Sequence, residues 1–526
     1  MNGSRSGVEP IVTNDVREAA RLWGIPTRLL DELAAVTDDA VKLHQRLLDL
    51  AVNEGTAILA PALERADIVE VLGTDPGRAW MFRLSEPTLG AAEAGPLHGQ
   101  RLAVKDCIAV AGVPMTIGTS FFRHVPTQHA SVVERALAHG ATLEGTTVCE
   151  SLCLSGSSFT SSTGPVPNPF DADRATGGSS SGSAAVIARG EADIALGTDL
   201  GGSVRNPAAW CGITALKPTF GVVPYTGAMA TEITMDHIGL MARTASALEP
   251  FLLALAGPDE SDSRQAGVES LLPARNRNPR IALVAEGFGQ QRADARIDRA
   301  VRNAAAILAA LVAHSTLDEV SVPLHRHASD IHASIVGEGS LVTLFEQALQ
   351  GSNHAGPYDP ALAAAFAVAL RDRPDQLPLN AMATLVATSV ARRRSGGAVP
   401  AMAQPLRRRL RAQYDEALKH HDVLVMPTVP MLPHRLPTES LPLGEYRRLA
   451  FEMHDNNCAT NLTGHPAVSV PCAVINGLPV GMMLIGRHRD DLNLLAIAVQ
   501  FQAGCFAPPQ VTVPADRPPN QGAKSA

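Results

Sequence analysis

The stretch that decides the fold runs from Gly177 to Arg205 and reads GGSSSGSAAVIARGEADIALGTDLGGSVR. Two glycine-serine turns flank a run of small and apolar residues, with Ser179 in the first turn and Ser203 in the second. Glycine permits positive φ and close backbone approach, so such turns can hold N–H groups and hydroxyls around one reacting atom. Between the turns, the pattern predicts a tightly packed helix over 184–189 and a buried strand over 194–196 that delivers the second turn to the first.

Three other interpretations of this stretch compete. A flexible Gly/Ser linker is disfavoured by the apolar run that follows at once, at 184–187. A phosphate-binding loop lacks the lysine of GxxxxGK[ST]. The segment from Gly178 to Gly182 matches GxSxG, the nucleophile elbow of α/β-hydrolases, with Ser180 at its centre. That elbow requires a hydrophobic strand just before it, and the preceding residues form a polar loop, NPFDADRAT.

The whole stretch resembles the amidase signature family, whose members carry a GGSS-type turn followed by GTDxGGSxR. The resemblance extends from about residue 97 to about residue 502 and includes VKD at 104–106, GSSFT at 156–160, FGVVPYTG at 220–227, GHP at 464–466 and GLPVGMM at 477–483. Within the family it is most similar to the bacterial enantioselective amidases that work alongside nitrile hydratases. The resemblance therefore implies an amidase.

Composition excludes several other classes of function. The chain has 526 residues and a formal net charge of −8, which argues against a nucleic-acid partner. Aromatic residues make up 4% of the chain, too few for base-stacking platforms. No stretch has the roughly 18 apolar residues of a membrane span. The seven cysteines and the absence of an apolar leader favour free thiols in the cytoplasm, and scattered histidines give no reason to expect a metal or another cofactor.

Strands that alternate with helices predict an α/β fold. The resemblance implies an amidase signature fold, in which helices cover one large mixed β-sheet. We expect an N-terminal helical extension over 1–80, with helices beginning near Asn14, Pro26 and Thr37, an amidase signature domain over 81–507 and a disordered tail over 508–526. By resemblance, the extension is a candidate dimerisation module, so a homodimer is expected.

The resemblance also implies the catalytic residues. Ser203 is the nucleophile, Lys105 is the base, and Ser179 bridges them and relays the proton, with a cis peptide bond between Gly178 and Ser179. The oxyanion donors are the backbone N–H groups of four consecutive residues, Leu200, Gly201, Gly202 and Ser203.

A lysine base must lose its proton, whereas its ordinary pKa is about 10.4. Burial in a dry site lowers that pKa, so we expect a depressed value for Lys105. Side chains alternate along a strand, and Asp106 should therefore point away from the Lys105 amine. Arg205 is expected to be structural and to pair with Asp199.

For the substrate pocket, the matching family positions place Cys153, Leu154 and Ser155 at the wall, with Phe159, Tyr225 and Ile233 as further candidates. An apolar or aromatic acyl group is then expected. The predicted reaction is hydrolysis of a small-molecule carboxylic amide to a carboxylate and ammonia or an amine, through a serine acyl-enzyme. Two alternatives stay open: acyl transfer to an amine on the same triad, and the glutaminase subunit of a tRNA amidotransferase.

Overall fold

The computed structural model describes residues 13–22, isolated positions between 28 and 53, and residues 64–511 except 72–74, 76, 93, 266–269, 275–277, 314–316, 352–358 and 507–508. The chain forms two compact units. The first comprises Met1–Pro61 and Asp359–Ala361, and the second comprises Ala62–Tyr358 and Leu362–Ala526.

In the first unit, helix α1 spans Thr13–Leu22, so the helix predicted to begin near Asn14 is present, with Asn14 inside it rather than before it. Val16 and Ala20, one turn apart, are buried on one face of this helix. The other two predicted N-terminal helices lie largely outside the described residues, and so does the predicted tail over 508–526. The domain boundaries at 80 and 507 stay predictions.

The second unit is built on a mixed sheet of 12 strands in the order β1-β2-β4-β3-β7-β9-β8-β13-β14-β12-β10-β11. Strands β3, β4 and β7 run parallel at one side of the sheet, and β10, β11 and β12 run parallel at the other. The antiparallel strands β9, β8, β13 and β14 join these two parts. A separate pair, β5 and β6, forms a small two-stranded sheet. This mixed sheet confirms the predicted α/β architecture.

The strands of the large sheet and of the small pair have the following bounds: β1 Ile68–Glu70, β2 Trp80–Thr88, β3 Arg101–Lys105, β4 Thr142–Thr147, β5 Pro167–Asn168, β6 Asp171–Ala175, β7 Ile194–Asp199, β8 Thr214–Lys217, β9 His237–Ala242, β10 Ile281–Val284, β11 Leu317–Val320, β12 Val423–Pro427, β13 Ala467–Ile475 and β14 Leu478–Ile485.

The remaining α-helices begin and end as follows: α2 Ser131–Ala138, α3 Ser181–Ala188, α4 Arg205–Cys211, α5 Ala245–Leu255, α6 Ala295–Ala313, α7 Ala328–Gly339, α8 Pro360–Asp372, α9 Leu379–Ser395, α10 Ala398–His420, α11 Leu443–Phe451, α12 Cys458–Thr463 and α13 Asp491–Gly504. No helix in the described ranges has both the length and the apolar character needed to cross a bilayer.

The helix and strand predicted between the two glycine-serine turns are both present, and both are longer than expected. Helix α3 begins at Ser181 rather than at 184, and β7 continues to Asp199 rather than ending at 196. All eight residues of α3 are buried, and the helix packs on β3 and β7. Small side chains permit this close approach of helix to sheet.

Strands β3 and β7 position the site. They are parallel neighbours, with Ala103 opposite Ala195 and Val104 opposite Leu196. Parallel neighbours end at the same edge of a sheet, so the carboxyl end of β3 at Lys105 lies beside the carboxyl end of β7. The second glycine-serine turn leaves β7 at this edge.

Candidate active site

Three chain segments meet at the carboxyl ends of β3 and β7. Lys105 is the last residue of β3, Ser203 lies in the turn that follows β7, and Ser179 lies just before α3. The peptide bond between Gly178 and Ser179 is cis, as predicted. The backbone N–H of Ser180 donates to the carbonyl of Ser203 at 3.1 Å and ties the first turn to the second.

The Lys105 amine is fully buried and has two hydroxyl partners. Its Nζ donates to Ser179 Oγ at 2.7 Å and to Thr198 Oγ1 at 2.8 Å. Asp106 points elsewhere, and its carboxylate accepts from Thr116 Oγ1 at 2.6 Å and from the N–H of Gly118 at 3.2 Å. The prediction that Asp106 makes no close contact with the amine is confirmed, because Asp106 is occupied by this loop.

Two effects on the pKa of the Lys105 amine oppose each other. Burial removes the ammonium from water and lowers the pKa, whereas Cys153, followed by Cys107 and Cys149, raises it, and the net direction is upward. In turn, hydrogen bonds from Cys107 and Cys149, together with the Lys105 charge, hold the pKa of the Cys153 thiol well below its usual range despite burial. The predicted lowering of the Lys105 pKa is therefore wrong. Cys153, rather than Asp106, is the main cause of the upward shift in the pKa of Lys105.

Ser203 lies at the wall of a cavity and is nearly buried. Within the described residues, no hydrogen bond joins the Ser203 hydroxyl to the Ser179 hydroxyl. Ser180, the centre of the alternative GxSxG elbow, is fully buried and does not line this cavity. Its hydroxyl donates to the carbonyl of Thr198 at 3.4 Å, so an elbow with Ser180 as an exposed nucleophile does not match this geometry.

A buried ion pair fixes the turn that carries Ser203. Asp199 accepts from Arg205 Nε at 3.0 Å and from Arg205 Nη2 at 2.9 Å, and both side chains are inaccessible to water. Burial raises the pKa of Asp199, but the charge and hydrogen bonds of Arg205 outweigh it and hold that pKa far below its usual range. Arg205 also donates to Thr460 Oγ1 and to Asn461 Oδ1 in α12. These contacts confirm the predicted pairing of Arg205 with Asp199.

The backbone N–H groups of this turn do not all have the same surroundings. The Gly202 N–H donates to Asp199 Oδ1 at 2.8 Å, which corrects the expectation that it points to the oxyanion. The N–H groups of Leu200, Gly201 and Ser203 have no protein acceptor in the part of the chain that the structure describes. Three of the four expected donors are therefore free to receive a ligand atom.

Two histidines hold the turn from its other side, and the sequence analysis did not identify them. His332 Nε2 donates to the carbonyl of Leu200 at 2.8 Å, and His454 Nδ1 donates to the carbonyl of Gly201 at 2.6 Å. Burial lowers the pKa of His332 to about 4, so its ring is neutral at pH 7 and carries one N–H. Since each bond fixes a carbonyl, it also fixes the plane of the peptide whose N–H follows.

The cavity beside Ser203 has a volume of about 410 Å³. The predicted wall residues Cys153, Leu154 and Ser155 line it, together with Leu200 and Gly201. The rest of the wall comes from three more distant segments, α7 with the residue after it, α9, and the chain from α11 to the start of α12: Ser329, His332, Ala333, Val336, Gly337, Ser340, Thr384, Ala387, Thr388, Gly444, Arg447, Arg448, Phe451, His454, Asp455 and Cys458.

Three other pocket predictions fail, because the residues are not in the cavity wall. Phe159 packs edge-on against Tyr446, with ring centroids 5.2 Å apart. Tyr225 is buried, and its hydroxyl donates to the carbonyl of Met229 at 2.8 Å. Ile233 lies on a loop near Gly351 and does not line the cavity.

Comparison with known proteins agrees with this geometry. The Amidase family model matches residues 79–495. An enantioselective amidase from Rhodococcus rhodochrous is 38% identical over 90% of this chain and 92% of its own length. A glutamyl-tRNA(Gln) amidotransferase subunit from Halobacterium salinarum is 36% identical over 80% of this chain and 98% of its own length.

Solved structures share the fold. The corresponding glutamyl-tRNA(Gln) amidotransferase subunit from Thermotoga maritima superposes with a TM-score of 0.69 at 24% identity, covering 84% of this chain and 95% of its own. A crystal structure of an amidase has a TM-score of 0.63 at 26% identity over 78% of this chain and 85% of its own. By family and by fold, this chain belongs to the Amidase family and is an enzyme that hydrolyses amides.

Proposed function

We propose that this amidase works through an acyl-enzyme on Ser203, with Ser179 and Lys105 as its proton relay. The observation that carries the proposal is the fully buried Lys105 amine, which donates to Ser179 Oγ at 2.7 Å, in the turn whose Ser180 N–H bonds to the carbonyl of Ser203. A nucleophile, a base and oxyanion donors are what acyl transfer requires.

In the first half-reaction, Ser203 Oγ bonds to the amide carbonyl carbon. Its proton passes to Ser179 Oγ while Ser179 gives its own proton to Lys105 Nζ. The tetrahedral intermediate then breaks its C–N bond, and the relay returns the proton to the leaving nitrogen. Water attacks the resulting ester by the same route, so that carboxylate and a protonated Ser203 are released.

The developing negative charge on the carbonyl oxygen is stabilised by backbone N–H groups. We assign this role to Leu200, Gly201 and Ser203, because the Gly202 N–H already donates to Asp199. One such donor contributes about 2.7–4 kcal/mol to the transition state. His332 acts as a positioning residue, since it holds the carbonyl of Leu200 in the peptide whose N–H belongs to Gly201. His454 holds the next peptide, whose Gly202 N–H donates to Asp199, and so supports the turn rather than an oxyanion donor.

The base must be neutral to accept a proton. Because Cys153 raises the pKa of Lys105, the neutral amine becomes common only towards alkaline pH. We therefore propose that the reaction rate rises with pH through the titration of Lys105, and that Cys153 sets where this rise occurs.

The substrate is proposed to be a small carboxylic amide with an apolar or aromatic acyl group. The apolar side chains of Val336, Ala387 and Phe451 face the cavity, and the volume of about 410 Å³ lies in the usual range of ligand pockets. Ser155 and Thr384 lie on the same wall; the Thr384 hydroxyl donates to the carbonyl of Asn380 at 2.9 Å, so it can only accept from the amide N–H.

Two alternatives on the same triad remain: acyl transfer to an amine, and the glutaminase subunit of a tRNA amidotransferase. The amidotransferase sequences among the relatives favour the second. It requires partner chains and a polar pocket for glutamine, whereas much of this wall is apolar. The cavity therefore favours a free amidase.

A test uses the purified chain alone, without ATP, on a panel of aliphatic amides, aromatic amides and glutamine, with ammonia release as the readout. We expect turnover of aromatic or bulky aliphatic amides, loss in Ser203→Ala and retention in the matched neighbour Ser180→Ala. Added hydroxylamine traps the acyl group as a hydroxamate. The ratio of hydroxamate to carboxylate then compares acyl transfer with hydrolysis. Activity that survives in Ser203→Ala would contradict the proposal, and turnover of glutamine alone would favour the amidotransferase role.

A homodimer in the cytoplasm is also proposed. The seven cysteines all carry free thiols, as in proteins of reducing compartments. Multi-angle light scattering of the full chain, compared with a chain lacking residues 1–61, tests whether the N-terminal unit is needed for dimerisation.

A further inference from the structure

A second cavity, of about 620 Å³, shares no residue with the catalytic cavity. Five of its lining residues are arginines and none is acidic. These are Arg264, Arg407, Arg408, Arg411 and Arg489; the remaining lining residues are Thr219, Phe220, Thr234, Gln404, Leu462, Thr463, Gly464 and His488. The chain as a whole carries a net charge of −8, so this concentration of positive charge is a local feature.

Three of the arginines come from one helix. Arg407, Arg408 and Arg411 lie on consecutive turns of α10, and Arg407 and Arg411 are four residues apart on one face. Like charges at this spacing repel each other and destabilise an isolated helix. Burial and the charge of Arg411 lower the pKa of Arg407, although Glu232 opposes them. A bound anion would relieve this repulsion.

Two of the guanidinium groups are held in place by the protein. Arg264 makes two bonds to the Asp262 carboxylate, at 2.8 and 2.7 Å. Arg407 donates to the carbonyl of Leu462 at 2.6 Å and to the carbonyl of Thr234 at 2.8 Å. These bonds fix the direction of both groups without neutralising Arg407, because carbonyls carry no net charge.

The other two helix arginines have donors to spare. In the described residues, Arg408 makes no hydrogen bond or ion pair, and Arg411 has only a long ion pair with Asp415, at 3.8 Å. His488 adds a buried Nε2 that has no hydrogen-bond partner in the described chain. The cavity thus offers the guanidinium of Arg408, the loosely paired guanidinium of Arg411 and an imidazole that is neutral at pH 7, since burial lowers the pKa of His488 to about 3.

A metal ion is the competing occupant. Asp415, His465 and His488 have donor atoms within 4.8 Å of one another, a spacing that a metal ion could use. However, His465 Nε2 already bonds Asp415 Oδ1 at 3.1 Å, and Arg411 is paired with the same carboxylate. Arginine charge beside the carboxylate disfavours a cation and favours an anion.

We propose that this cavity binds a phosphate-bearing small molecule, with Arg408 and Arg411 contacting the phosphate beside the fixed guanidinium groups of Arg264 and Arg407. Guanidinium forks match phosphate oxygens in a bidentate manner and give charge-assisted hydrogen bonds. Phe220 lines the same cavity, with the Arg264 guanidinium carbon 5.7 Å from its ring centroid, and can contact a ring attached to the phosphate. The ligand is either inorganic phosphate or a phosphate ester.

The test titrates the full-length protein with inorganic phosphate and, separately, with phenyl phosphate by isothermal calorimetry, at constant ionic strength set with chloride. The variant is Arg408→Gln with Arg411→Gln, both exposed and without structural hydrogen bonds. The matched control is Arg393→Gln with Arg394→Gln, which removes the same charge from the exposed face of α9.

We expect phosphate binding by the parent and by the control, and a loss of affinity of at least about tenfold in the Arg408/Arg411 variant. Tighter binding of phenyl phosphate, reversed by Phe220→Ala, identifies a phosphate ester as the better ligand; equal binding identifies inorganic phosphate. Phosphate should also protect Arg408 and Arg411 from phenylglyoxal, read by peptide mass spectrometry. The proposal is overturned if the parent shows no binding above chloride, or if the variant binds as well as the parent.

Discussion

The two turns proposed to be catalytic and the wall of the cavity beside Ser203 are built in different ways. The turns come from three short segments joined by hydrogen bonds, with Lys105 on Ser179 and Asp199 on Arg205. The wall beyond Ser155 comes from α7, α9 and the chain between α11 and α12, which contribute one or two side chains per turn. A polar network tolerates little change in its groups, whereas a wall of separate helical side chains can vary position by position. We therefore expect the turns to determine chemistry and stability, and the wall to determine the substrate.

The largest effect is expected where the network is most buried. Asp199→Asn leaves the Arg205 guanidinium buried without a counter-charge, which should lower the free energy of unfolding by about 3–5 kcal/mol. Urea denaturation measures this change. The control is Glu319→Gln, which breaks an exposed ion pair with Arg302 and should change stability by less than about 1 kcal/mol. Equal losses in the two variants would mean that the turn is not held by this pair.

The next effect tests the histidines that hold the turn. His332→Ala removes the donor to the Leu200 carbonyl, so the following N–H is less well aimed at the oxyanion. We expect kcat to fall by about tenfold to a hundredfold, less than the 10²–10³ that loss of one oxyanion donor costs, with KM nearly unchanged. His332→Gln can still donate and should recover part of kcat. A rise in KM without loss of kcat would instead make His332 part of the substrate wall.

A third prediction compares the wall with the turns. Ala387→Phe adds bulk inside the cavity and should lower kcat/KM for bulky amides by about tenfold, with a smaller change for short amides. Ala391→Phe, one helical turn further along α9 and outside the cavity, is the matched control. If both variants acted on large and small amides equally well, the cavity would not be the site that binds the acyl group. Phe159→Leu, outside the wall, should leave substrate preference unchanged.

The smallest effect is a displacement of the pH profile. Cys153 raises the pKa of Lys105, and a raised pKa keeps the base protonated to a higher pH. Cys153→Ala removes this cause and should move the rising limb of kcat/KM to lower pH. Cys472→Ala, a buried thiol that does not line the catalytic cavity, is the control and should leave the limb in place. A limb that moves to higher pH in Cys153→Ala would mean that the thiol does not carry the opposing charge.

The difference between the turns and the cavity wall also explains which parts of the site could be predicted from the sequence. The arrangement of the two glycine-serine turns was predictable because Gly177 to Arg205 contains both turns, the helix α3 and the strand β7 in one continuous stretch. Lys105 followed from a separate motif, and its place beside β7 follows from the parallel pairing of β3 with β7.

Other parts of the site could not be predicted because they depend on distant contacts. His332 and His454 approach the turn from segments with no motif of their own. Local sequence also does not reveal that Cys153 is close enough to the Lys105 amine to reverse its pKa shift. Tyr225 shows the converse error, since it belongs to a matched motif but uses its hydroxyl in a structural bond to Met229.

The measurement that tests the central claim most directly is labelling with a fluorophosphonate, followed by intact mass of the parent and of Ser203→Ala, Ser180→Ala and Lys105→Ala. An activated serine displaces fluoride and keeps the phosphonyl group. The account predicts one adduct on the parent and on Ser180→Ala, none on Ser203→Ala, and much slower labelling of Lys105→Ala that recovers towards alkaline pH. An adduct that persists in Ser203→Ala and disappears in Ser180→Ala would contradict the account.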